Sequence, residues 1–485
     1  MNVKLRNARL FLMIVFLSLT LMACGGGDSS VDNNTAPIAN GGTDQILVVS
    51  SLVSLDGRGR RDTAGDSLSY TWSFASRPVS SSATLSNSTS EFPSFVADVV
   101  GDYVLSLTVN DSDLDSNPDT VSIFIVDPNT APIANAGTDQ TLVVSSLVSL
   151  DGSGSSDTDG DSLSYTWSFA SRPVSSSATL SNSTSESPSF VADVVGDYVL
   201  SLTVNDGNLD SVVDEITITV ATSVGGIISS NTTWNLINSP YLITSKVQIA
   251  HGITLQIDEG VKVIGNDGDI QVFGILNAIG SINAKIKFDN VNIVPGNGPT
   301  NEWLTINIDY AEVNSGSIYY PTGNAVYGSL SLRNSILLNI SYIYLIRPTE
   351  DSFFERNIFI SSGGISVLDH ESGSIYIRNN VFYQYTGDNG QEYAIKNNGS
   401  SGTSETIAES NSFLSTDRIA LILPNAFTSA DITAINNYWN TTDTSEIESM
   451  IYDKNDDLGS ANYIMYSPFL IVPHPDTPDS TPYIQ

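Results

Sequence analysis

The chain is poor in the residues that most often carry chemistry. Its 485 residues include one cysteine and three histidines (His251, His370 and His474), with 19 lysines and arginines against 53 acids, a formal charge of −34. One cysteine allows no internal disulfide and no thiolate zinc site, and the scattered histidines match no metal-ligand spacing. The shortage of cations excludes nucleic acid as a partner, because so negative a chain repels phosphates and anionic headgroups alike. What is plentiful is Ser, Thr, Asn, Asp and Gly, with 9% aromatics, a composition that fits a β-rich extracellular protein. The length allows about three domains.

Lys4, Arg6 and Arg9, with no acid among them, precede an apolar run of about 14 residues starting at Leu10. This is the pattern of a signal peptide over residues 1–23, too short to span a bilayer as a helix. The run ends in Leu21-Met22-Ala23-Cys24, which resembles the lipobox of bacterial lipoproteins. The resemblance implies cleavage before Cys24, diacylglycerol on its sulfur and, with Gly25 following, anchoring in the outer membrane, either surface-exposed or facing the periplasm. Without the signal the chain has 19 − 3 = 16 basic and 53 acidic groups, a net of −37. Residues 24–34 read as a flexible polar tether.

The segment that begins at Thr35 recurs at Thr130, and the offset of 95 holds without a gap to Asp111 and Asp206, with seven of 77 positions different. Such identity marks a tandem duplication and places modules at 35–128 and 129–222. Each copy alternates short apolar runs with polar turns, the pattern of a β-sandwich. Pro-Ile-Ala-Asn-Ala-Gly, the Asp151 to Asp161 loop, Tyr165-x-Trp167 and Gly196-Asp-Tyr198 together resemble PKD-type immunoglobulin-like domains. That resemblance implies spacer or adhesive modules with Trp72 and Trp167 in the core and tyrosine corners at Tyr103 and Tyr198.

In the second copy Asp157, Asp159 and Asp161 stand on alternate residues, a density of hard oxygen donors that suits Ca²⁺, or else forms a solvated turn. The first copy keeps Asp62 and Asp66 but has Ala64 between them, and Arg58, Arg60 and Arg61 replace serines. Guanidinium groups neutralise carboxylates as a metal does, so Ca²⁺ is expected in copy two and weakly or not at all in copy one.

From Gly225 the composition turns to Ile, Asn, Tyr, Ser and Gly. An Asn-x-apolar signature recurs at Asn334, Asn357, Asn380, Asn411 and Asn437, the first two gaps being 23 residues. That period suits one rung of a parallel β-helix with stacked asparagines. Residues 223–470 resemble the right-handed parallel β-helix proteins of the pectate-lyase-like superfamily, which implies an all-β chain of two sandwiches and a β-helix. Residues 447–470 are expected to cap the coil, and the proline-containing 471–485 to fray.

The superfamily includes lyases and hydrolases, yet no catalytic constellation emerges. Residues 225–485 have 11 lysines and arginines, too few for a strongly cationic groove. Arg333 and Arg356, 23 apart, read as one column with Arg378 out of phase, either a cationic stripe for an acidic glycan or a solvated face. Tyr319 and Tyr342, also 23 apart, read as a sugar platform or as packing. His370-Glu371, flanked by Asp369, is an isolated candidate acid/base group. The sequence therefore favours a lipid-anchored stalk presenting a non-catalytic surface for polysaccharide or another surface, with a tethered polysaccharide lyase or glycoside hydrolase as the alternative.

Overall fold

The computed structural model describes residues 34–58, 62, 65–266, 268–296, 304–319, 328–346, 348–369, 372–387, 391–399, 405–424, 430–457 and 462–484, and these are nearly all strand and turn. The chain forms two compact units, the first ending at Asn129 and the second starting at Thr130. Among the described residues no helix is long and apolar enough to cross a membrane.

The first unit is a sandwich. In Gly101–Asn110 and Asp119–Val126 every second side chain is buried, because strand geometry turns alternate residues to opposite faces. One sheet orders Gln45–Val48, Asp119–Val126, Gly101–Asn110 and Ser69–Ser76, with the first pair parallel and the others antiparallel. Leu52–Ser54 pairs separately with Ser94–Val96. Trp72, Phe95 and Tyr103 fill the core. The Tyr103 hydroxyl donates to Asp98 Oδ1 at 2.8 Å and accepts from the Val99 N–H, so the expected tyrosine corner is present; Tyr198, Asp193 and Val194 repeat it in the second module.

The second module has the same sandwich, but its last strand, Asp214–Ile228, runs on for 15 residues. Its first half pairs with Gly196–Asn205 and Gln140–Val143 inside the sandwich. From Thr222 it pairs in parallel with Tyr241–Ile249, the first full strand of a coil. Module and coil therefore share one strand, with no linker between them.

Each strand of the coil pairs in parallel with its counterpart one turn later, on three ladders. The first includes Ile336–Leu338, Ile358–Ile360, Val381–Tyr383 and Ser412–Phe413. The second includes Ile343–Ile346, Ile365–Asp369, Ile395–Asn397, Leu421–Ile422 and Ile451–Tyr452. The third includes Leu304–Asp309, Gly328–Arg333, Ser352–Glu355, Ile375–Arg378 and Thr406–Glu409. Inward residues stack between rungs: Phe359, Phe382, Phe413 and Trp439 follow one another at 4.7, 5.4 and 4.8 Å, near the natural spacing of paired strands.

Two of the three corners turn on a single residue in the left-handed region. Tyr310, Asn334, Arg356, Asn379, Ser410 and Asn436 form one such column; Asn290, Ser315, Asn339, Ser361 and Gln384 form the other. The residue after the first column is buried. Asn357, Asn380 and Asn411 each donate their side-chain amide and backbone N–H to the Oδ1 of the next asparagine in the series, ending at Asn437, at 2.8–3.0 Å. Asn334 departs from the sequence expectation: it sits one residue early, in the exposed corner column, and Ser335 takes the top of the ladder by donating its N–H to Asn357 Oδ1.

At the far end the helix Thr444–Ser449 buries Ile447, and bridges from Thr433 to Met465 and from Tyr438 to Leu470 supply a last partial rung. Residues 471–484 do not fray as expected. Prolines keep this tail out of a ladder, but it lies back along the coil. Ile484 packs with Ile336, Ile358 and Val381, Lys285 stands over the Tyr483 ring, and Thr477 Oγ1 donates to the Ser410 carbonyl.

Hydrogen bonds from Ser176, Ser177 and Tyr198 hold the Asp193 carboxyl well below the usual carboxylate range, the Ser176 hydroxyl having the largest effect. The stabilisation is therefore complete above an ordinary carboxylate pKa of about 4 and is lost only as pH falls through the depressed value. Asp193→Asn is expected to lower the unfolding midpoint at neutral pH, and the gap from the parent is expected to close in strong acid, as read by tryptophan fluorescence. Asn380→Ala strands the Asn357 N–H and the Phe354 carbonyl in the interior, which costs of order 1–3 kcal/mol. Chemical denaturation should show coil unfolding shifted by that amount, with the first module unchanged.

Candidate binding surface

Three groups of residues singled out in the sequence fall in three different places. In the second module the Asp157 loop closes on itself. Asp157 Oδ1 accepts from the N–H groups of Asp159 and Asp161, and Asp159 Oδ2 turns away to the Thr130 N–H and hydroxyl at 2.7 and 2.8 Å. Asp157 Oδ2 is buried with no hydrogen-bond partner. Among the described residues no three acidic, histidine or cysteine side chains stand together as a metal site. In the first module Asp62 Oδ2 accepts from the Asp66 N–H, and Arg58 forms an ion pair with Asp56 at 2.8 Å while lying over Phe92. That guanidinium holds the Asp56 carboxyl down to about 2. Arg60, Arg61 and Ala64 lie outside the described residues.

The arginine column is arranged differently from the sequence reading. The step from Arg333 to its neighbour on the third ladder is 22 residues rather than 23, so Arg333 pairs with Glu355, Glu355 with Arg378 and Arg378 with Glu409. Arg378 is thus in phase, and Arg356 is one residue out, at the corner. The row alternates in sign, with Arg333 Nε 2.9 Å from Glu355 and Arg378 Nε 2.7 Å from Glu409. Two residues back on the same outward face, Phe353 and Tyr376 stack at 5.2 Å, and the two guanidiniums lie over them. A cationic stripe is therefore absent from this row: each arginine faces a glutamate and its own aromatic ring, a stabilising lattice.

The tyrosines do come together, on the second ladder. Tyr319 and Tyr342 meet edge to face at 5.7 Å, and Tyr344, which the 23-residue spacing does not reveal, stacks on Tyr342 at 4.5 Å. Tyr342 and Tyr344 are alternate residues of one strand and so point to the same side. Burial first, then the nearby Asp269 charge, pushes the Tyr319 phenol up. Leading to the rings along the outer face is a hydrogen-bonded row: Asn292 Nδ2 donates to Asp269 Oδ1 at 3.1 Å, and Ser317 Oγ donates to Asn292 Oδ1 at 2.7 Å. On the far side of Tyr342 comes Gly364, where a Cβ would meet the Tyr393 carbonyl oxygen at 2.5 Å, so no side chain rises beyond the ring. Half-buried aromatic faces beside a fixed row of amide and hydroxyl groups can hold a ring that has apolar C–H faces and polar edges.

Arg333 and Arg356 belong to the third ladder and its corner, so they are not part of this cluster. His370 and Glu371 lie outside the described residues, as does the side chain of Asp369, and so does Cys24.

Residues 41–125 and 136–220 each match a family model for the PKD domain of the KIAA0319-like type, so the two sandwiches are PKD-type domains. The mouse (Mus musculus) dyslexia-associated protein KIAA0319-like protein is 33% identical over 193 residues, which cover 39% of this chain and 18% of that protein. The chain thus spans less than a fifth of the length of that relative. Among solved structures, the PKD domain from the KIAA 1837 protein is 31% identical and covers 21% of this chain and 97% of its own, with a TM-score of 0.18. A nucleoside hydrolase-related hypothetical protein from Saccharophagus degradans, described as associated with carbohydrate metabolism, is 33% identical over 19% of this chain and 26% of its own, also with a TM-score of 0.18.

Proposed function

We propose that this chain is an outer-membrane lipoprotein, anchored through Cys24, whose PKD-type domains form a stalk for a coil that binds polysaccharide without cleaving it. The observation that carries the reading is the Tyr319, Tyr342 and Tyr344 cluster at the end of the Asp269, Asn292 and Ser317 row. Aromatic faces supply contact area for sugar C–H groups, and the fixed amide and hydroxyl groups select ring hydroxyls. A repeating ligand laid along a repeating surface gains from many weak contacts at once.

The test presents the mature chain with immobilised neutral and uronate-rich glycans. Retention without new reducing or unsaturated ends is expected, and Tyr342→Ala should weaken it about tenfold, or about 1.4 kcal/mol. New chain ends would make the protein a lyase or hydrolase instead. No retention on any glycan would remove the polysaccharide reading.

Calcium enters as a second part of the proposal. The second module has the buried, unpartnered Asp157 Oδ2 with Asp159 and Asp161 beside it, and a bound cation requires Asp159 to release Thr130. The first module has arginine in the same loop. Ca²⁺ is therefore expected to raise the unfolding midpoint of the second module and leave the first unchanged; an equal response in both, or none, counts against the site.

A further inference from the structure

We propose that the space between the C-terminal tail and the coil is a binding site for a small zwitterion with an apolar body, of the amino-acid type. This site is separate from the tyrosine cluster and stands whether or not that cluster binds glycan.

The tail arches over the corner that carries Asn334 and Arg356 and leaves a cavity of about 330 Å³, within the size range of small-molecule sites. Its two sides differ in charge. The coil contributes Lys285 and Arg356, and the tail contributes Asp476 and Asp479. Among the described residues no ion pair joins the two sides. Arg356 donates its Nε to Asn334 Oδ1 at 2.9 Å, and its two terminal amino groups have no described partner. Lys285 has only the Tyr483 ring beneath its ammonium. Opposite, Asp479 accepts from the Thr481 N–H at 2.9 Å, and the bonds from Thr481 keep its carboxyl ionised well into acid. Asp476 stands near His474 at 3.9 Å.

Charges of opposite sign that face each other without touching leave both sides incompletely satisfied. In a chain of net −34, two cations without an acid partner at one cavity are a costly arrangement unless something completes them. The tail does not depend on these charges for its position, since Ile484 and Thr477 hold it by packing and a hydrogen bond. A ligand with a carboxylate toward Arg356 and Lys285 and an ammonium toward Asp476 and Asp479 satisfies both sides at once. A ligand with only one charge satisfies one side and meets like charge on the other. The remaining wall is apolar, formed by Ile336 and Ile358, and accepts a hydrocarbon or aromatic side chain.

The experiment is calorimetric titration of the mature chain with phenylalanine, 3-phenylpropionate and phenethylamine, which share a body and differ only in charge. Saturable binding of phenylalanine is expected, with each single-charge analogue at least tenfold weaker. Arg356→Gln should reduce phenylalanine to the level of phenethylamine, and Asp479→Asn to the level of 3-phenylpropionate, with unfolding midpoints showing that both variants fold. Lys285→Gln, at a position that closes no corner, provides the same readout should the Arg356 variant unfold. Absence of saturable phenylalanine binding, equal affinity for all three compounds, or full affinity in the folded variants overturns the proposal.

Discussion

The hydrogen bond between one asparagine and the next, repeated from Asn357 to Asn437, is the constraint from which the coil's geometry follows. Each link satisfies a buried backbone N–H and a side-chain amide at once, and it does so only if successive rungs lie in one register. With that register set, inward isoleucines and phenylalanines stack on their own kind, and outward residues form straight rows. The tyrosine cluster, the alternating arginine and glutamate row and the polar row beginning at Asp269 are all products of this alignment. A slip of one residue would turn each row inside out.

The duplicated modules show how few changes redirect a surface. Their cores are alike, with Trp72 and Trp167, Tyr103 and Tyr198, and the same buried apolar positions. The differences gather where the fold is indifferent to them. Arg58 with Asp56 and Phe92 makes a local ion pair and ring contact in one copy, while Ser153 and Ser187 leave the corresponding carboxylates to the backbone and solvent in the other. The core is preserved in both, and only the chemistry offered to the surroundings changes.

Much of this architecture is legible in the sequence because it is periodic. The duplication, the alternation inside each strand and the tyrosine corners follow from spacing alone, and so does the meeting of Tyr319 and Tyr342. Spacing misleads where a rung changes length. One 22-residue step moves Arg356 into a corner and leaves Arg333 facing Glu355, and the same shift separates Asn334 from the buried asparagines. Tyr344 is hidden for another reason: its partner lies two residues away on the same strand, a relation that no rung period encodes. The tail is hidden because its order comes from a few contacts with distant rungs, such as Ile484 with Ile358, rather than from any local pattern.

The strand Asp214–Ile228 has a mechanical consequence. Half of it is stitched into a sandwich and half into a coil, so a pull along the chain reaches the coil through unbroken covalent backbone flanked by pairing strands. Load of this kind is borne in shear by many hydrogen bonds together and is not shed one bond at a time as when a hairpin is peeled open. The joint between module and coil thus behaves as a splice, able to pass tension without pivoting, and the tyrosine face keeps a fixed heading relative to the module that carries it.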